Sequence, residues 1–446
     1  MAPVIQPTGD SKFENSVDKT CKEDYALHPE QELRFEVEKG EYCKIEVLDG
    51  NAELFGTELI KQKPYYFNGG KGYGIFTWSS CKVRITGKTE SAYISKDTPM
   101  VQYVNIAFAI EGLRKQAEAR ENQVDNQGTA LDSRGPRVMV VGGTDVGKTT
   151  LCRLLLNYGV RLGRRPVFID LDVGQQSIGI PGTIGALMVE RPADPVEGFD
   201  MKAPIVYHFG HTTPNANMKL YTTLITRIQD LYNTKCLYNQ KVHHSGCIIN
   251  TCGWVNRKGY DTLLETAKTF EADVVLCLDA ERLYQDLVRD LPDFVNIMLL
   301  RKSPGVLTRS KEQRRDAREA LIREYYDGPR GQFYPHSFDV PFDNIEIFKI
   351  GTPSLPNSAL PIGTTLADTE TKLVAVQPSP DIMNHILAVS RAETFEEELT
   401  ETNVSGFVVV KAVDEERRIM TVKSPAPHPL IGRYLLLSTL RYMDQL

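Results

Sequence analysis

The chain has 446 residues, 41% of them hydrophobic and 25% charged. That length exceeds a single ordinary core, so two or three domains are expected, each with an interior of its own. A net charge of -6 at pH 7 excludes a protein that coats nucleic acid through bulk electrostatics, and leaves room for a local basic cluster that grips a short strand.

The first residues, Met1 to Pro7, show no charged segment followed by an apolar one, and no run of about 20 apolar residues occurs. The expectation is a soluble, intracellular protein. Its eight cysteines lack metal-ligand spacing, the closest pair being Cys247 and Cys252, and Cys277 sits in an apolar run. They read as buried free thiols in a reducing compartment.

Residues 1 to about 30 are polar and are expected to be loose at the start. Apolar and polar residues then alternate in Leu33 to Val37, Ile45 to Val47, Ala52 to Leu54, Tyr73 to Trp78 and Lys82 to Ile85, separated by Asp49-Gly50-Asn51 and Gly69-Gly70. Short strands so close together predict a small antiparallel β domain, a sandwich or partial barrel. A helix is predicted from about Gln102 to Arg120, with Tyr103, Ile106, Ala107, Ile110 and Leu113 on one face. Glu121 to Arg134 is polar and reads as a linker.

Gly142-Gly143-Thr144-Asp145-Val146-Gly147-Lys148-Thr149 matches the P-loop pattern in full. In that pattern backbone amides wrap phosphate oxygens, the lysine reaches the β- and γ-phosphates, and the hydroxyl of Thr149 ligates Mg²⁺. The flanks suit it, with a buried strand over Arg137 to Val141 and helical spacing of Leu151, Leu154, Leu155 and Leu162. The site is expected to bind a nucleoside triphosphate.

Strand and helix candidates then alternate as in a doubly wound α/β domain. The strands are Pro166 to Asp170, Ile205 to His208, Cys247 to Asn250, Asp273 to Leu278 and Ile297 to Leu300. The helices are Met218 to Leu231, Tyr260 to Phe270, Leu283 to Val288 and a charged one from Arg309 to Tyr326. Beyond about Tyr334 prolines appear, with a strand at Ile345 to Phe348, a helix at Met383 to Ser390, an acidic stretch at Glu396 to Glu398, and a hairpin of Gly406 to Val410 with Arg418 to Val422. A third, smaller domain is expected there.

Three groups carry chemistry. Asp172 closes the strand next to the P-loop strand, where a carboxylate takes the proton of an attacking hydroxyl or holds Mg²⁺ through water, or else caps a helix. Trp254 follows Asn250-Thr251-Cys252-Gly253 at another strand end, and reads either as a surface on which a base stacks or as core. Arg309, Arg314 and Arg318 read either as a mobile clamp over a transferring phosphoryl group or as a solvated helix face. Arg161, Arg164 and Arg165 are taken as a basic loop, and His243 and His244 as surface histidines.

Gly135 to Gly142, Thr144 to Thr149, Leu171 to Gln175, Ile180 to Thr183, Asn250 to Trp254, Ser424 to Pro427 and Ala52 to Leu59 together resemble the polyribonucleotide 5′-hydroxyl-kinase subunit of the eukaryotic pre-mRNA cleavage complex. The resemblance covers nearly the whole chain. It implies a central P-loop NTPase-type doubly wound parallel sheet (α/β), flanked by an N-terminal antiparallel β domain and a small C-terminal α+β domain. The expected divisions are 1–115, a linker at 116–134, 135–334 for the kinase domain, and 335–446.

The activity implied is transfer of the ATP γ-phosphate to the 5′-hydroxyl of RNA, in a nuclear protein acting in mRNA 3′-end formation. Association with other cleavage-complex subunits and the tRNA-splicing endonuclease is implied as well. By the same resemblance, ATP and Mg²⁺ would be held by Gly142, Thr144, Asp145, Val146, Gly147, Lys148, Thr149 and Thr150, with Thr149 on the metal. Glu32 would lie on the adenine side. The family's basic residue near adenine aligns with Gly72, with Lys71 next to it. Asp172 would be the general base, acting with Lys148, and Arg309, Arg314 and Arg318 the lid. Gln175, Thr212 and Trp254 would meet the RNA end. The rival expectation is a catalytically silent, ATP-bound scaffold, as in some fungal members; the presence of the lysine, the aspartate and the arginines favours the kinase. A P-loop GTPase is disfavoured because no Asn-Lys-x-Asp motif is present.

Overall fold

The structure, a computed structural model, describes residues 17–18, 20–121, 123–124, 131–328, 331–351, 370–395 and 398–443. Its first part consists of β1 (Lys22–Leu27), β2 (Gln31–Val37), β3 (Tyr42–Gly50), β4 (Ala52–Leu54), β5 (Thr57–Leu59), β6 (Tyr65–Asn68), β7 (Gly72–Thr77), β8 (Cys81–Thr86) and β9 (Thr89–Ser95). They make two antiparallel sheets, β1-β8-β3-β6 and β5-β4-β7-β2-β9. Leu33, Phe35, Ile45, Val47, Ile75, Val83 and Ile85 point inward from both sheets into one core, each contributing about 1.5–3 kcal/mol by leaving water. Within the polar opening stretch, Lys22 to Leu27 are ordered as β1, which pairs with β8 along its length, while residues 1–16 and 19 lie outside the described residues. A polar edge strand such as Lys-Glu-Asp-Tyr-Ala-Leu lacks the apolar alternation that reveals inner strands.

Helix α1 (Met100–Arg120) buries Tyr103, Ile106, Ala107 and Ile110 against the next body. In the expected linker, residues 122 and 125–130 lie outside the described residues. The elements that follow are β10 (Arg137–Gly142), α2 (Lys148–Arg161), β11 (Val167–Asp170), β12 (Thr183–Met188), β13 (Ile205–His208), α3 (Met218–Tyr238), α4 (Gln240–Ser245) and β14 (Cys247–Asn250). After them come α5 (Lys258–Thr269), β15 (Val274–Leu278), α6 (Glu281–Asp290), β16 (Asn296–Leu300) and α7 (Lys311–Asp327).

The central sheet has the order β13-β12-β11-β14-β10-β15-β16. Strands β11, β14, β10, β15 and β16 are parallel, as expected for an α/β fold, while β12 is antiparallel to both its neighbours. Strand β12 was not foreseen, because Thr-Ile-Gly-Ala-Leu-Met is buried on both faces and shows no alternation. The P-loop leaves the C-terminal end of β10; Asn250 closes the adjacent β14, and Asp170, in register with it, closes β11 one strand further out. The strand before Asp172 is therefore not next to the P-loop strand as expected, but separated from it by β14. Ligands of open α/β sheets bind at such an edge.

The last part is one sheet of β17 (His336–Pro341), β18 (Glu346–Ile350), β19 (Leu373–Val376), β20 (His385–Ser390), β21 (Val404–Asp414), β22 (Ile419–Ser424) and β23 (Tyr434–Arg441), ordered β17-β22-β21-β20-β23-β18-β19. The helix expected over Met383 to Ser390 is strand β20, paired on both sides by β21 and β23. A short apolar run does not distinguish a buried strand from a helix by periodicity. Of the expected acidic stretch, Glu396 and Glu397 lie outside the described residues. One face of the sheet, with Ile386, Ala388, Phe407, Val409 and Leu436, joins the core of the central body. The other, with Leu387, Val389, Val408, Val410 and Leu435, packs on a core of its own.

Candidate active site

The P-loop turns on Gly147, whose φ of 94° places it in the left-handed region at the start of α2. Lys148 is buried, and its Nζ donates to the carbonyls of Gly142 and Gly143 at 3.1 and 2.6 Å. Burial lowers its pKa, opposed chiefly by the nearby Asp172. Val146 is buried behind the loop, and Thr149 and Thr150 open the helix after Lys148.

Thr149 Oγ1 lies 3.4 Å from Asn250 Nδ2, which donates to Asp170 Oδ1 at 2.9 Å. Asp170 also accepts from the amides of Asp172 and Ser177. Burial first, then the charge of Asp172, pushes the Asp170 carboxyl up to about 7, partly offset by Asn250. Asn250, at the end of β14, is therefore an amide that links the P-loop hydroxyl to a carboxylate one strand over.

Asp172 begins no helix. Its Oδ1 accepts from the amides of Gly174 and Gln175 at 2.9 and 3.2 Å, while Oδ2 accepts no hydrogen bond from the described residues. Burial raises its pKa against the pull of Lys148, the two amides and Arg309. Asp172 lines a cleft of about 730 Å³ together with Thr144, Gln175, Thr212, Trp254, Arg314 and Arg318. The residues singled out as base and RNA contacts thus meet two of the three lid arginines in one place, while Arg309 does not line the cleft.

Trp254 is half-buried at the cleft wall rather than in the core. Its indole lies against Gly259 of α5, where a side chain would collide with it, since a methyl group there would sit 2.6 Å from the ring. No local pattern announces that glycine as a support for a tryptophan five residues earlier.

Helix α7 starts at Lys311, capped by Ser310 and Gln313, so Arg309 precedes it. Arg314 Nη1 lies 2.7 Å from Asp145 Oδ2, which also accepts from the Arg309 amide at 3.1 Å; Arg309 Nε lies 3.4 Å from Oδ1. Asp145, expected only as a loop residue, anchors two of the three lid arginines. Arg318 makes no ion pair among the described residues, and burial followed by repulsion from Arg314 lowers its pKa. A cation left so, facing a cleft, suits an anionic ligand.

Glu32 and Lys71 stand apart from this cleft. Glu32 is buried on β2 and accepts from Arg34 Nε and Nη2 at 3.0 and 2.8 Å. Gly305 lies on the Arg34 side chain, Leu307 meets Gly72, and Val306 meets Gly147. The segment between β16 and α7 therefore spans from the N-terminal sheet to the P-loop. Lys71 lies 3.7 Å from Glu324 of α7, which ties it to the lid helix.

The residues set aside as bland are not all so. Arg161 holds Glu53 at 2.9 Å and also Glu58, and Arg164 holds Glu111 at 2.6 Å and also Glu118. They clamp the N-terminal sheet and α1 to the P-loop helix rather than forming a solvated loop. His244 is buried against Gln240 and Glu121, not on the surface. Five of the eight cysteines are buried, and all eight are free thiols.

Three family models divide the chain. The mRNA cleavage and polyadenylation factor CLP1 P-loop matches residues 142–328, the N-terminal beta-sandwich domain of polyadenylation factor matches 26–117, and the Pre-mRNA cleavage complex II protein Clp1 matches 333–444. The human (Homo sapiens) Polyribonucleotide 5'-hydroxyl-kinase Clp1 is 52% identical over 427 residues, covering 96% of this chain and 98% of that protein. The chain belongs to the Clp1 family. Its Gallus gallus relative of the same description is 53% identical over 420 residues, 94% of this chain and 96% of that one. A Clp1 family member from Anopheles gambiae, Protein CLP1 homolog, is 51% identical over 422 residues, with 94% and 97% covered. The Clp1 fold is shared with a solved structure of the wild-type Clp1p-Pcf11p complex, at a TM-score of 0.79 and 22% identity, covering 96% of this chain and 100% of that one.

Proposed function

We propose that this chain is an ATP-dependent polyribonucleotide 5′-hydroxyl kinase. The observation that carries the reading is Asp172, held by two amides on Oδ1 and open on Oδ2, on the wall of a cleft shared by Trp254, Arg314 and Arg318. ATP is the phosphoryl donor, cradled by the loop from Gly142 to Thr150. Lys148 would exchange its two carbonyl partners for phosphate oxygens.

The donors near Thr149 fit Mg²⁺, a hard cation that prefers oxygen. The Thr149 hydroxyl would hold it, with Asp170 behind through Asn250, and a cation there would favour the ionised form of a carboxyl now pushed up to about 7. When bound, the ion neutralises charge on the phosphates.

Trp254 offers its ring to the base at the RNA end, and Gln175 and Thr212 line the same wall. Asp172 Oδ2 takes the proton of the 5′-hydroxyl as its oxygen bonds to the γ-phosphorus and the bond to the β-phosphate oxygen breaks, leaving ADP. Arg309, Arg314 and Arg318 stabilise charge on the transferring group. Glu32 and Lys71 lie toward the adenine side. The biological setting proposed is mRNA 3′-end cleavage with a partner like the Pcf11p of the solved Clp1p complex, in the nucleus, with tRNA splicing and its endonuclease added as the sequence resemblance implies.

Purified protein given γ-labelled ATP and a 5′-hydroxyl oligoribonucleotide should label the RNA. Lys148→Ala should lose both transfer and ATP binding, and Asp172→Asn should lose transfer alone. Unlabelled RNA, with ATP bound, would leave a silent scaffold.

A further inference from the structure

The cleft does not end at Trp254. Asn256 and Arg257 continue its wall and also line a second groove of about 870 Å³, whose other residues include Tyr260, Glu281, Arg282 and Asp286. Arg257 stands on the ridge between the two, with φ 51° and ψ −124°, a conformation that a residue bearing a Cβ adopts at a cost of about 1–3 kcal/mol. Such strain at a cleft rim points to a task for the side chain. Arg257 is exposed and, like Lys258, makes no ion pair among the described residues.

The groove carries two cations, Arg257 and Arg282, and two carboxylates, Glu281 and Asp286. Asp286 is taken by Arg289 at 3.1 Å, and Arg282, 97% exposed, approaches it only to 3.9 Å. Glu281 is the remaining carboxylate on the wall. The Tyr260 hydroxyl donates to Asp290 at 2.7 Å, which leaves its half-buried ring to face a ligand.

We propose that the second groove receives the RNA strand downstream of the reacting nucleotide. Arg257 on the ridge and Arg282 on the rim neutralise backbone phosphates, and the Tyr260 ring receives a base. This rests on the kinase reading, because a strand whose first base lies on Trp254 must leave the cleft, and the wall shared with the groove is continuous with that residue.

The test is binding of 5′-hydroxyl dinucleotide and octanucleotide RNA by the full chain, with a non-hydrolysable ATP analogue, over a salt series. The wild type should bind the octanucleotide several-fold more tightly. Arg257→Ala should narrow that ratio and lower the slope of log affinity against log salt by about 0.7, the value for one phosphate contact on a single strand. Arg257→Gly, which relieves the strained backbone, should melt at a higher temperature than wild type and still bind the octanucleotide as weakly as Arg257→Ala; Arg257→Lys should restore binding. Equal wild-type affinity for the two lengths, or unchanged octanucleotide affinity and slope in Arg257→Gly, overturns the proposal. Loss of phosphoryl transfer to both lengths would sink the kinase reading separately, with the binding comparison still deciding the groove.

Discussion

Asp172 has one oxygen engaged and one free, and the free one sets a pH dependence. An ordinary aspartate titrates near about 3.9, and burial raises Asp172 above that. Only the ionised form accepts a proton, so kcat/KM, which reports the free enzyme, is expected to fall as pH drops through this raised pKa. This group causes no loss toward alkaline pH. The measurement is phosphate transfer across overlapping acidic buffers; an acid limb no higher than that of an ordinary aspartate would sink the idea. Asp172 was legible in the sequence because it follows a strand end two residues after Asp170. That Oδ1 is held and Oδ2 open was not legible, since it depends on how residues 172 to 175 turn.

The lid element and the last strand of the C-terminal sheet both act on the cleft. Arg309 and Arg314 are drawn to Asp145 of the P-loop, which keeps the start of α7 over the phosphate site. If Arg309 meets the phosphoryl group mainly as charge spreads, Arg309→Ala should lower kcat by about 10²-fold or more. ATP affinity should change little, because Lys148 and the loop amides are untouched; single-turnover transfer at the wild-type rate would place the lid elsewhere.

The second element effect is less visible. The Gly210 carbonyl, two residues before Thr212, accepts from the Thr439 amide at 3.0 Å, from Thr439 Oγ1 at 2.8 Å and from Ser438 Oγ at 3.2 Å. Thr439→Val removes one donor worth about 0.5–1.5 kcal/mol, and is expected to raise KM for RNA about 2- to 10-fold while leaving KM for ATP alone. Thr439→Ser should restore it. Steady-state titration of each substrate decides, and an unchanged KM for RNA would show that Thr212 needs no such hold. Nothing local predicts a bond between residues so far apart in the chain, whereas the P-loop was legible throughout because its spacing, strand and helix are contiguous. Strand β20 was misread as a helix for the same reason: its partners on both sides are distant.

At the scale of the molecule, the N-terminal sheets are fastened to the kinase body by arginines from α2. Glu53 is 3% exposed and takes Arg161 Nη1 at 2.9 Å and the Tyr158 hydroxyl. Alongside it, Asn157 Nδ2 donates to the Phe55 carbonyl at 2.8 Å. Glu53→Ala removes the acceptor of the half-buried Tyr158 hydroxyl and one of the two carboxylates that hold Arg161, and should cost about 1–3 kcal/mol. Amide exchange should quicken in β4 and at the end of α2; unchanged exchange and unchanged denaturant midpoint would refute the fastening. The alternating strands of this region and the arginines were each plain in the sequence, but their pairing was not, because charge runs look alike whether solvated or docked.

The face of the C-terminal sheet that carries Ile386, Ala388, Phe407, Val409 and Leu436 completes the interior of the kinase body. During synthesis the N-terminal parts emerge and fold first, so the P-loop is finished while this side of its own core is still open to water. Only when β20 to β23 leave the ribosome is that surface covered and the Gly210 carbonyl gripped. A message ending early, soon after the codon for Pro335, would therefore yield a chain with every phosphate-binding residue, a loose Thr212 loop and a bare apolar flank, a product for chaperones and proteases rather than for RNA.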